Sequence, residues 1–100
     1  MASEGQFTAD ASTDWIVMDH QGHVHIAGAG TFGSGTVTIQ QKINGTTYSV
    51  LDGSQTALTF TAAFDEVLYF GAGDRFRLNL ASSTTPALDW KIAGLSQKDY

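Results

Sequence analysis

Alternation in short pieces constrains this chain more than anything else in it. From Asp14 onward the period is mostly two: after a short apolar run at residues 15–18, closed by turn chemistry at 19–22, large apolar residues alternate in runs that stop at turn signals. Val24 and Ile26 alternate with His23 and His25. Val37, Ile39, Gln41 and Ile43 share one face of a strand, and Thr36, Thr38, Gln40 and Lys42 share the other. Asn44-Gly45 follows directly and tolerates positive φ at both central positions of a type I′ hairpin turn. Residues 46–51 form the return strand, with Tyr48 and Val50 on one face, and Asp52-Gly53 marks the next turn. Leu58, Phe60, Ala62 and Phe64 alternate again, and residues 67–70 read as a short buried run. Phe76, Leu78 and Leu80 alternate with Arg75, Arg77 and Asn79; Leu88, Trp90 and Ile92 alternate with Asp89 and Lys91. No long window keeps a helical stripe, and only residues 62–68 have the composition of one or two helical turns. About eight short strands with turn signals every eight to twelve residues predict an all-β fold, an antiparallel sandwich or small barrel.

The ends read differently. Residues 1–13 carry one large aromatic side chain, Phe7, too little apolar surface to offset the entropy of ordering them. They are expected to be an N-terminal arm that orders against a partner. Residues 14–95 form the sandwich, and residues 96–100 are expected to be a polar tail.

Composition narrows the function classes. The chain has 100 residues, 15% of them charged against a globular average of about 25%, and no cysteine. A disulfide framework and thiolate metal sites are excluded. The formal net charge of −5 argues against nucleic-acid binding. No run is long and apolar enough for a membrane-spanning helix, and the first residues carry no secretory signal, so synthesis in the cytoplasm is expected.

Four motifs invite a sharper reading. Residues 28–33 match G-x-G-x-x-G, but a dinucleotide site needs a helix after that run and here a Thr/Val/Ile strand follows, so no cofactor is expected. His23 and His25 share a strand face and have the spacing of a zinc pair, with Asp19 or His20 as a third ligand; a polar strand face is the simpler account. Around a symmetry axis the same histidines would make association pH-sensitive. Asn44-Gly45-Thr46 fits a glycosylation sequon but is explained as a hairpin turn. Arg75 and Arg77 flank Phe76 on one face, either solvated or placed for an acidic partner. Asp74 is expected to cap the preceding glycine turn. No nucleophile, base and orienting acid can be assembled, so catalysis is not expected.

From about Gly30 to Ile92 the order of features resembles small β-sandwich virion proteins of tailed bacteriophages. The resembling segments are residues 30–40 (GTFGSGTVTIQ), 44–48 (NGTTY), 73–78 (GDRFRL) and 88–92 (LDWKI). The resemblance implies a sandwich of jelly-roll type, no catalysis, and a capsid decoration (cement) protein that binds and stabilises the major capsid protein shell. It further implies docking on other virion proteins as a homo-oligomer, a trimer at threefold positions being favoured, at the capsid surface. A head–tail or tail adaptor is the neighbouring possibility. A carbohydrate-binding module that stacks sugars on Trp90 or Tyr48 is the alternative from another class, although both residues alternate in phase with the core. Phe7, Trp15 and Tyr100 are the expected apolar anchors for partner contacts, with Arg75 and Arg77 supplying charge.

Overall fold

The computed structural model describes Ala2–Leu95. The described residues form ten strands and no helix: β1 (Ala2–Phe7), β2 (Ala11–Ser12), β3 (Ile16–Val17), β4 (Gly22–Thr31), β5 (Thr36–Ile43), β6 (Thr46–Ser49), β7 (Thr59–Phe60), β8 (Phe64–Phe70), β9 (Arg75–Ala81) and β10 (Ala87–Leu95). All pairings are antiparallel. One sheet has the order β1-β10-β4-β8. The other has the order β2-β9-β5-β6, with β3 also on β9 and β7 also on β5. β2 and β3 meet successive stretches of one side of β9, and β6 and β7 do the same on β5. Counting each broken pair as one row leaves eight rows, placed 1-8-3-6 in the first sheet and 2-7-4-5 in the second.

The two sheets pack face to face, because each presents every second residue to a common core. The first sheet contributes Val24, Ile26, Phe64, Phe70, Leu88 and Ile92; the second contributes Val37, Ile39, Phe76, Leu78 and Leu80. Each large aliphatic or aromatic side chain fully buried there stabilises the fold by about 1.5–3 kcal/mol relative to exposure. Two stacked aromatic pairs bridge the layers: Phe70 on Phe76 at 4.3 Å and Phe64 on Phe60 at 4.2 Å between ring centroids. Gly30 and Gly33 have φ of 117° and 61°, and a Cβ on either would lie within 2.5 Å of a carbonyl oxygen of the strand or loop alongside. The G-x-G-x-x-G run is therefore the end of β4 and a tight turn into β5.

Three expectations change. Residues 2–7 are not a free arm. They form the edge strand of the first sheet, in register from Ala2 opposite Ala93 to Phe7 opposite Leu88. Phe7 is buried in the core, 6.0 Å from the Trp90 ring. Side chains alone give this strand little apolar surface to bury, but ladder hydrogen bonds to β10 and one inserted aromatic hold it. The sandwich thus extends N-terminal of Asp14, and removing residues 1–13 would strip an edge from both sheets. Residues 62–68 are not helical: β8 pairs along β4 from Phe64 to Phe70. Nor is the run at residues 67–70 wholly buried, because β8 is an edge strand with one open face, on which Val67 is 50% and Tyr69 56% exposed. The tail at residues 96–100, with Tyr100, lies outside the described residues.

Local polar contacts fix the loops. Asp74 accepts the Gly71 amide at 2.7 Å, the cap expected at the glycine turn. Asp10 ties the β1–β2 loop to the β9–β10 loop by accepting the main-chain amides of Ser82 and Ser83 at 3.0 and 2.9 Å and the Ser83 hydroxyl. The Ser83 hydroxyl, with those amides, holds the Asp10 carboxyl below the usual carboxylate range.

Candidate functional site

A one-residue irregularity builds the most distinctive surface. Along β9, Ala11 and Ser12 pair with Leu80 and Asn79, and Ile16 and Val17 pair with Phe76 and Arg75. Between them three residues (Thr13, Asp14 and Trp15) oppose two (Leu78 and Arg77), which is a β-bulge. Thr13 anchors it: its amide donates to the Leu78 carbonyl at 2.9 Å and its buried hydroxyl accepts the Leu78 amide at 3.1 Å. With strict alternation Trp15 would follow Thr13 toward the core. The extra residue turns it to the outer face.

There Trp15 meets two cations. The Arg77 guanidinium carbon lies 4.4 Å from the indole centroid and the Lys42 Nζ 4.6 Å from it. The electron-rich ring face attracts both, at about 0.5–1 kcal/mol each or more, because all three side chains are half-buried. Gln40, directly opposite Arg77 in register, accepts its Nε–H at 2.7 Å and fixes the guanidinium plane. Arg75 lies on the same face opposite the half-exposed Val17. Three of the chain's five basic residues thus gather on one face of an acidic protein. Among the described residues no carboxylate lies within salt-bridge distance of any of the three.

The outer face of the first sheet is different. An open groove of about 950 Å³ runs over Ala27 and Ala29, with Glu4, Asp65, Asp89 and Lys91 on its rim. Asp89 accepts the Gln6 amide at 3.0 Å across the β1–β10 pair. Further along β4, His25 contacts Asp65, and His23 meets the Tyr69 ring edge-on at 5.2 Å.

The sequence-derived candidates therefore separate. Trp15, Arg75 and Arg77 come together on one face, and Lys42 joins them. Lys42 was visible only as the same-face partner of Gln40; nothing in its own neighbourhood marked it. Phe7 goes to the core and is not a surface anchor, because it faces inward beside Leu88. His23 and His25 lie on the opposite side of the molecule. No group of three His, Asp or Glu able to hold a metal converges among the described residues, and the carboxylate near His25 is Asp65, not Asp19. The two aromatics considered for sugar stacking also separate: Trp90 packs inward against Phe7, while Tyr48 is 51% exposed beyond the edge of the core. No family model matches the chain, and no curated protein is significantly similar to it in sequence.

Proposed function

We propose that this chain is a non-enzymatic structural protein of a tailed-phage virion, a decoration protein that docks on the major capsid protein shell and stabilises it. In this reading the fold is a jelly roll, supported by the placement of its eight rows, and the working unit is a homo-oligomer, a trimer at threefold positions. The observation that carries the docking surface is the Trp15, Lys42 and Arg77 cluster with Arg75 beside it. A rigid sheet holds these side chains, so little ordering entropy is lost on binding. Aromatic and arginine side chains are also the usual energetic anchors of protein interfaces. The partner they fit is an acidic patch repeated over a lattice of identical subunits.

The test is co-sedimentation with particles of the encoding phage from which this protein has been removed. Arg75→Glu combined with Arg77→Glu should reduce binding by at least about 100-fold, since reversing charges opposite an acidic patch costs several kcal/mol. The far-ultraviolet circular dichroism of the variant should stay that of the parent. Equal binding by parent and double variant would refute this surface. Binding by neither, with the protein absent from wild-type particles by mass spectrometry, would refute the virion role itself.

A further inference from the structure

The hairpin tip between β5 and β6 has a chemistry that the docking surface does not use. Asn44 and Gly45 occupy the two turn positions, with φ of 51° and 78°, and both are exposed. Among the described residues no hydrogen bond holds the Asn44 side-chain amide, and none outside the strand ladder engages the Gly45 amide. Nothing lies within 4 Å of the position a Gly45 Cβ would take, so a new ring at this point meets no neighbour.

We propose that Asn44 is a self-modifying site that deamidates through a succinimide. The Gly45 main-chain nitrogen, after losing its proton to solvent base, attacks Asn44 Cγ. The new N–Cγ bond forms as the Cγ–Nδ2 bond breaks, and the side-chain nitrogen leaves as ammonia with a proton from water. Water then opens the ring at either carbonyl, leaving aspartate or isoaspartate. One water enters, one ammonia leaves, and nothing is oxidised or reduced. Ring closure needs rotation about the Asn44 Cα–C bond, out of the turn conformation. The tip permits it, because β6 is only four residues long and Thr46, Thr47 and Tyr48 are exposed.

The other candidate positions are held. Asp52, also followed by glycine, accepts the Ser54 and Thr56 amides at 2.8 and 3.1 Å through the same oxygen, which restrains its carboxyl. Asn79, the only other asparagine, is half-buried within β9, precedes Leu80, and accepts the Ser12 hydroxyl at 2.7 Å. The modification is therefore specific. It places a carboxylate two residues from Lys42 and makes the chain one unit more negative than its formal −5. The isoaspartyl product also inserts a main-chain methylene between β5 and β6. Applied to the docking face, this is a slow, irreversible loss of cationic character; the chemistry itself does not depend on the virion reading.

The experiment ages the folded full chain at neutral and mildly alkaline pH, then maps it with trypsin. Cleavage after Lys42 and Arg75 isolates Asn44 in one peptide, and cleavage after Arg77 and Lys91 isolates Asn79 in another. The expected result is the mass gain of an amide-to-acid exchange at Asn44, faster at the higher pH, with isoaspartyl methyltransferase labelling of the same peptide and no change at Asn79. Asn44→Gln, which disfavours the five-membered ring, should abolish the gain. A folded chain that stays unchanged while a free peptide spanning the turn deamidates would overturn the proposal, as would equal modification at Asn79. The shell-docking reading is tested separately, by binding of freshly purified protein.

Discussion

The two outer faces of this sandwich are built on opposite principles. On the sheet that carries the groove, small residues let neighbouring parts come close. The groove's floor is alanine, and the glycines between the outward residues, Gly28 and Gly5, face inward against Phe64 and Trp90. On the other sheet a bulge pushes a large residue outward, and charged side chains gather over it. The first face is continuous with the core, so a change in it travels inward. The second rests on a finished ladder, so a change in it stays outside. A surface meant for recognition can vary in chemistry without endangering the fold only if it is of the second kind.

Three substitutions break or sharpen that contrast. The largest expected effect is beneath the groove, on the inner side of the same sheet. A Cβ at Gly28 would lie 2.5 Å from a Phe64 ring carbon, so Gly28→Val must displace a ring that is stacked on Phe60. Overpacking of this kind costs about 1–3 kcal/mol, to be read as a drop in the urea midpoint with unchanged slope. Trp15→Ala should cost less, about 1 kcal/mol, because it removes two half-buried cation–π contacts on the outer face and leaves the Thr13 anchor in place. A Trp15→Ala variant destabilised as much as Gly28→Val would show that the faces are not energetically distinct.

The smallest effect is at Asp10, in the loop contact that joins the rims of both sheets. Its folded pKa lies below the ordinary carboxylate value, chiefly because of the Ser83 hydroxyl. Its contribution to stability is therefore full above the ordinary value and is lost as pH falls through the depressed folded one. Asp10→Asn should flatten the acid limb of a stability–pH curve, lowering stability slightly at neutral pH and leaving it unchanged below the depressed folded pKa. An unaltered acid limb would show that this carboxylate is not linked to folding.

Much of the fold was legible because period-two patterning is a local property. Val37, Ile39, Phe76, Leu78, Leu88 and Ile92 each announced the face they occupy. The Asn44-Gly45 turn was equally plain, since two consecutive positive-φ residues leave few other sequences. Parity misled wherever the chain is not regular or not two-sided. A single extra residue at Thr13–Trp15 reverses the direction of Trp15, and no residue type marks the reversal. Val67 and Tyr69 read as core because their apolarity says nothing about whether their strand lies at an edge. Residues 2–7 read as unstructured because the partner that orders them lies more than eighty residues away in the chain. The candidate site was half legible: Arg75 and Arg77 declared a shared face, whereas the convergence of Lys42 and Trp15 on Arg77 is a product of register between three rows.

The position of β10 has a temporal consequence. It lies between β1 and β4, yet it is the last of the ten strands in chain order. During synthesis β4 and β8 can meet early, and the rows of the second sheet can close through β9, but β1 has nothing to pair with until β10 has left the ribosome. The first strand made is the last to be seated. Contacts spanning such separations carry a large loop-closure cost and make for slow folding. Until that moment the edge of β4 that will receive β10 stays open, and it offers its unpaired amides and carbonyls to any other strand within reach. The order in which this chain is written thus sets a window in which it depends on its surroundings.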